Sequence, residues 1–237
     1  MNILAVIPAR GGSKGVPNKN LKMINGISLV GIAIKSAIKS DCFSKVHVST
    51  DSLRIQKEAL LFNADCSYLR PKEISQDYSK TVESLKFCLS KEKDLGFEYD
   101  AICELQPTYV FRGFNLIKNC ISKFIQNSKN FNSLVTISNI QNTSHPDYVT
   151  RIDSGGNLIY GNYKPDVFCR HELSDFYSVQ GCLMISNTKS FLKSNSLFNS
   201  PSFGYEVKDR KRLWDINQEE DLEIAEYLAS KEPNIIL

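Results

Sequence analysis

The chain of 237 residues has no Cys-x-x-Cys pair, no long apolar run and little net charge, and each lack removes a class of protein. Its seven cysteines, Cys42, Cys66, Cys88, Cys103, Cys120, Cys169 and Cys182, are scattered and odd in number. That argues against a disulfide framework and a structural zinc site. Most lie inside apolar runs, as core cysteines do. No apolar run approaches the length that crosses a bilayer, and the start lacks the charged and apolar regions of a secretory leader. The expectation is a reducing, cytoplasmic setting without membrane attachment. A net charge of +3 is too small to indicate nucleic acid and fits a local cationic pocket for a small anion better. What is present, 42% hydrophobic and 23% charged residues, is the composition of one globular domain spanning residues 1–237.

Two common nucleotide motifs are missing as well, and the stretch that lacks them organises the rest. Ile3 to Ile7 is a short β-branched run of the kind that forms a buried strand. It leads into Ile7-Pro8-Ala9-Arg10-Gly11-Gly12-Ser13-Lys14-Gly15-Val16-Pro17-Asn18-Lys19-Asn20, which holds three glycines, two lysines and an arginine. Backbone amides and cations at the end of a strand suit a polyphosphate. The glycine spacing matches neither a Walker A loop nor a dinucleotide fingerprint. Pro17 and Asn18 also rule out an immediate helix, so the loop is a longer cradle with Arg10 near its start and Lys19 near its end. The plainer alternative is a basic surface loop.

Beyond the loop, strand and helix signals alternate. A helix is expected from about Leu29 to Ser40, then a strand Val46 to Asp51, a helix around Ile55, Ala59 and Phe62, and a short strand from Cys66 to Leu69. A helix around Val82, Leu85 and Leu89 precedes a strand at Ala101 to Leu105; a helix bearing Ile117, Cys120, Ile121, Phe124 and Ile125 precedes one at Leu134 to Ile137. This alternation predicts an α/β fold with a doubly wound, mostly parallel sheet. Ligands bind beyond the carboxyl ends of such strands, which selects the opening loop, Arg70 to Thr81, and Gln106 to Arg112. Asp51 lies about 36 residues past Gly15 rather than the roughly 20 of a ribose-binding acid, so it reads as an N-cap or loop anchor.

From about Ile140 to Ser178 the pattern changes to a small β-arm, with Tyr148 to Asp153 and Leu158 to Tyr160 flanking a Ser154-Gly155-Gly156-Asn157 turn. A strand at Gly181 to Ile185, a short helix near Ser190 and the segment Tyr205 to Val207 follow. Leu213 to Ile216 leads into a final helix with Leu222, Ala225 and Leu228, and Asn217 with Glu220 has the general form of a capping box. Asp221 reads as a solvated helix residue. Among the histidines, His47 reads as packing, while His145 and His171 lie in or near the arm without a forced role.

The string from Ile7 to Asn20 resembles the signature loop of the CMP-sialic acid synthetase family, cytidylyltransferases that activate nine-carbon keto-sugar acids. Further matches are Arg70-Pro71-Lys72-Glu73-Ile74-Ser75-Gln76-Asp77, Gln106-Pro107-Thr108 and Asp215-Ile216-Asn217, so the resemblance spans essentially the whole chain. It implies a nucleotide-diphospho-sugar transferase-like fold and CTP and a nonulosonic acid as partners. It also implies a homodimer joined by the arm at 140–178, and Mg2+ as cofactor. Ala9, Arg10, Gly11, Gly12, Ser13, Lys19 and Asn20 would hold the nucleotide, with Arg70, Ser79 and Thr81 on cytosine. Gln106, Thr108 and Arg170 would take the sugar. Asp215 would be the main metal ligand and Asn217 a secondary one, since an amide carbonyl can ligate a hard cation without adding charge. Nucleotidyl transfer asks mainly for positioning, a metal and cations, which casts Arg10, Lys19 and Asp215 as the catalytic set.

The sequence departs from the family at Tyr109-Val110-Phe111-Arg112, where Ser-Pro-Leu-Arg is usual, and at Gln180, where asparagine is common. Both departures bear on the acceptor rather than the reaction class. The competing readings are a cytidylyltransferase for the eight-carbon acid Kdo, a nucleotide-dependent oxidoreductase, and a non-catalytic nucleotide-binding protein of the same fold.

Overall fold

The computed structural model describes residues 1–12, 15–140, 144–160 and 174–236. Strand β1 (Ile3–Pro8) is buried along almost its whole length because it runs between two strands with helices on both faces. After it come the short β2 (Met23–Ile24) and β3 (Ile27–Ser28), then α1 (Leu29–Ser40), β4 (Lys45–Ser49) and α2 (Leu53–Leu61). Helix α1 starts where the Ser28 hydroxyl accepts the Gly31 amide at 3.1 Å. Next are α3 (Thr81–Asp94), β5 (Ala101–Glu104), α4 (Gly113–Gln126) and β6 (Ser133–Asn139). Hairpin strands β7 (Thr150–Ile152) and β8 (Leu158–Tyr160) pair with each other. The chain continues through β9 (Tyr177–Asn187), α5 (Thr188–Ser194), β10 (Ser202–Glu206) and α6 (Glu219–Lys231).

The main sheet runs β10-β6-β9-β5-β1-β4, parallel except for β9, which lies antiparallel between β5 and β6. Period-two alternation sorts the strand side chains onto two faces. Ile3, Ala5 and Ile7 pack with α1, α2 and α4, while Leu4, Val6 and Ile102 face α3 and Phe191 of α5. A third cluster joins Leu29 and Ile32 of α1 to Val110, Phe111, Ile216 and α6. The doubly wound α/β expectation is met, with one antiparallel strand. No helix among the described residues is long and apolar enough to cross a membrane. The six cysteines described, all but Cys42 buried, are free.

Two local expectations fail. Cys66 to Leu69 forms no strand. The segment touches the β4 side at Asp65, which bridges His47, and at Arg70, whose amide donates to Thr50. Between these points Tyr68 stacks on His47 and turns its hydroxyl to Glu92 of α3, and the side-chain contacts displace a ladder. The cap of α6 is shifted by one residue: Gln218 is the N-cap, and the Asp221 carboxylate accepts both the Asn217 and the Gln218 amides at 2.9 Å. Asp221 is therefore a cap and not merely a solvated side chain.

His47 is a core residue, as its place in a strand predicts, but it is a charged one. Its burial opposes protonation, yet the Asp65 carboxylate 2.6 Å away outweighs this and raises the imidazole from 6.5 to about 9. Raised in the folded state, the group contributes stability that is fully present below the unfolded value of 6.5 and is lost as pH rises through about 9. Thermal melts of wild type and His47→Gln should converge by about 3 kcal/mol over that window. A difference that stays constant with pH would remove the ion pair from the account.

Candidate active site

The opening loop is held on both flanks. The Ala9 amide donates to Ser49 at the end of β4, and the Gly11 amide to the Asp51 carboxylate at 2.8 Å, which makes Asp51 a loop anchor. These bonds occupy two of the amides expected to face phosphate and leave Gly12 lining the cleft. Asn18 takes a left-handed conformation, φ 53°, and starts the single turn Lys19–Leu21. The side chain of buried Asn20 reaches back to the Arg10 carbonyl at 3.0 Å and closes the loop. On the far side, Lys19 Nζ donates to the Ile216 carbonyl at 2.8 Å. A β-carbon at Gly15 would collide with the Asn217 carbonyl oxygen, so only glycine lets the loop lie against that segment.

The carboxyl ends of β1 and β5 and the stretch from Arg70 to Thr81 enclose a cleft of about 320 Å³. It gathers Arg10, Gly12, Lys19 and Asn20 from the loop, Arg70, Ser79 and Thr81 from the second stretch, and Gln106 and Thr108 from the third. The three segments selected by the crevice rule thus share one cavity. Arg70 is buried, its Nε donating to Ser75 at 3.0 Å, and burial lowers its pKa while Asp51 supports the charge. Arg10 is paired with Asp77, so an incoming phosphate would compete with that carboxylate. Burial also lowers the Lys19 pKa, opposed by Asp215 and Asp221.

Asp215 is near enough to Lys19 to support its charge but does not line the cleft. It bridges to Tyr109, and the next residue, Ile216, donates its amide to the Thr108 carbonyl at 3.1 Å. Asp215 Oδ2 accepts from the Asn217 amide at 3.0 Å, while the buried Oδ1 has no hydrogen-bond partner among the described residues. A carboxylate oxygen without a hydrogen-bond partner is chemically a fit for a hard divalent ion. Asn217, as placed, turns its NH2 to Asp215. Ser13, Arg170 and His171 lie outside the described residues. His145 is buried in its own turn, with Nε2 2.9 Å from the Ser174 carbonyl.

The departures from the family pattern sit behind the cleft. Tyr109, Val110, Phe111 and Arg112 are buried and none lines the cavity. Arg112 donates to the carbonyls of Gln106 at 3.1 Å and Cys182 at 2.6 Å, and so ties the Gln106 turn to β9. Gln180 donates to Ser138 and Ser178 within the β6–β9 ladder. One cleft residue escaped the sequence reading: Glu104, at the end of β5, is 2% exposed and lines the cavity. The available signal was an acid closing the run Ala101-Ile102-Cys103, in a strand with no solvent face.

Residues 4–233 match the family model described as Cytidylyltransferase. The CMP-N,N'-diacetyllegionaminic acid synthase of Legionella pneumophila is 32% identical over 206 residues, 85% of each chain. The N-acylneuraminate cytidylyltransferase of Escherichia coli is 30% identical over 230 residues, covering 97% of this chain and 52% of that one. Among solved structures, a CMP:2-keto-3-deoxy-manno-octonic acid synthetase complexed with CTP superposes with a TM-score of 0.73 over 98% of this chain and 100% of that one, at 16% identity, a likeness of fold. With a model match over nearly its whole length and relatives of this kind, the chain belongs to the cytidylyltransferase family.

Proposed function

We propose that the protein transfers CMP from CTP to a nonulosonic, sialic-acid-like sugar acid and releases pyrophosphate. The observation that carries this is the one cleft holding Arg10, Lys19 and Arg70 beside Gln106 and Thr108, with the unpartnered Asp215 oxygen near Lys19. The anomeric hydroxyl attacks the α-phosphorus and gives its proton to solvent, a new P–O bond forms, and the bond to the β-phosphate oxygen breaks, the electron pair leaving on pyrophosphate. Arg10 and Lys19 bind the triphosphate and offset charge developing on the leaving pyrophosphate. Gly12 borders it, and Arg70, Ser79 and Thr81 hold the base. Gln106, Thr108 and Arg170 take the sugar acid. Asp215 would hold a divalent cation, Mg2+ in this reading, which when bound would neutralise phosphate charge; Asn217 would orient the carboxylate. The names of the relatives and the sequence motifs support a nine-carbon acceptor over Kdo.

The test is pyrophosphate release from CTP and magnesium with a panel of legionaminic, neuraminic, pseudaminic and Kdo acids. Release with none of them would sink the reaction. Release with Kdo alone would replace the acceptor.

The reading extends to a homodimer through the arm. Ile152, Leu158, Ile159, Phe176, Tyr177 and Val179 are exposed apolar residues along β7, β8 and the start of β9, of the type that a partner covers. Sedimentation should give a dimer for the wild type and a monomer for Ile152→Glu with Ile159→Glu. A wild-type monomer at micromolar concentration would remove the dimer.

A further inference from the structure

Glu104 is an acid in a place that an apolar residue would fill at lower cost. The neighbouring strands β1 and β9 carry no charged residue, and burial raises the carboxyl to about 7. A buried acid facing a binding cleft, with no salt-bridge partner among the described residues, calls for a use. Its hydrogen bond to Gln106 supplies it: Glu104 Oε1 accepts from Gln106 Nε2 at 3.1 Å. The other side of that amide is closed by β9. A β-carbon at Gly181 would approach Gln106 Nε2 and Oε1 to 2.9 Å, so the amide lies flush on the glycine backbone. The Gly181 amide is in turn fixed to the Tyr109 hydroxyl at 3.0 Å, and Arg112 fixes the Gln106 carbonyl.

We propose that Glu104 is a positioning residue for the acceptor: it holds the NH2 end of the Gln106 amide, so that Oε1 is presented to a hydroxyl of the sugar acid. The two ends of a glutamine amide are nearly the same shape and opposite in hydrogen-bonding sense. A carboxylate can only accept, so it selects the NH2 end. No donor among the described residues takes Gln106 Oε1. A protonated Glu104 could instead donate to Oε1 and turn the amide, offering NH2 to the cleft. The other charged groups lining the cavity are Arg10, Lys19, Arg70, Asp77 and Lys80. The proposal rests on the reading above that Gln106 meets the acceptor.

The experiment compares full-length wild type with Glu104→Leu, Glu104→Gln and Gly181→Ala. It measures KM for the acceptor and for CTP, and follows the 15N side-chain resonance of Gln106 in the ligand-free protein from about pH 6 to 8. Glu104→Leu should raise the acceptor KM about tenfold, the value of one charge-assisted bond, with the CTP KM within about twofold and no loss of melting temperature. Glu104→Gln, whose carbonyl still accepts, should restore most of the affinity. Gly181→Ala should reproduce the acceptor defect by displacing the amide. The Gln106 resonance should titrate near pH 7 in the wild type and stay flat in Glu104→Gln. An unchanged acceptor KM in Glu104→Leu would overturn the proposal. So would a fall in kcat in both Glu104 variants at constant KM, since Glu104 would then act on the reacting hydroxyl itself. If the wild type is inert towards every acid, the assigned reaction fails, and the resonance decides the positioning: a Gln106 side-chain resonance that moves in Glu104→Leu sustains it, and one identical in wild type and Glu104→Leu overturns it.

Discussion

Asp215→Ala should abolish turnover, by about three orders of magnitude, while leaving the protein as stable as the wild type or slightly more so. The two halves of this expectation have separate causes. Stability should not suffer, because among the described residues Oδ1 is a buried oxygen without a hydrogen bond, and the bond lost at Oδ2 is the one from the Asn217 side-chain amide. The segment itself is held by its backbone, through the Tyr109 bridge and the Ile216 amide on Thr108. Turnover should collapse because, in the proposed reaction, this carboxylate is the ligand of the divalent ion that neutralises the triphosphate. Pyrophosphate release across a magnesium series, with melting curves in parallel, checks both. Turnover above about a tenth of wild type would remove Asp215 from the site. A large drop in melting temperature would assign it to structure instead.

Lys19→Ala carries the second large effect, about a hundredfold in kcat/KM for CTP. Its ammonium is anchored to the Ile216 carbonyl, so it enters the cleft already aimed, and little side-chain freedom is lost when phosphate arrives. Lys19→Arg should rescue poorly, because a planar fork cannot both keep that carbonyl and point at phosphate as a compact ammonium does. The direction of its pKa adds a signature. Burial lowers it, so the charge is lost at a lower pH than for a solvent lysine, and kcat/KM for CTP should fall on the alkaline side before the ordinary lysine range is reached. Binding of CTP that is indifferent to Lys19→Ala would end its assignment to the triphosphate.

Much of this site is legible in the sequence because it is local. Strand, glycine loop and cations are consecutive from Ile3 to Lys19, and helix α1 forms over the range that its apolar spacing predicts. The ends of β1 and β5 follow from alternation alone. What escapes is set by distant partners. The run from Gly181 to Ile185 announces a strand but not its direction, which is fixed by pairing with Ala101 to Glu104 on one side and Ser133 to Asn139 on the other. Cys66 to Leu69 has strand-forming residues, yet Tyr68 is drawn to α3. Glu104 looks like a strand-end acid until Gln106 and Gly181 close around it. The altered residues after Thr108 suggest a reshaped sugar pocket, whereas Tyr109 to Arg112 are buried behind it and act through the backbone.

The antiparallel strand β9 has a consequence for synthesis on the ribosome. It is the wedge between β6 and β5, joining Ala101 to Asn187 and Ser133 to Ser186, so the middle of the sheet closes only after both flanking strands have been made, with the edge strand β10 still to come. Until residue 187 has been made, the nascent protein carries two unpaired edges, β5 and β6, at its centre and not at its rim. A pause in translation before that point would present those edges to other chains. Aggregation during expression, more than instability of the finished enzyme, is the failure to look for in variants that weaken β9.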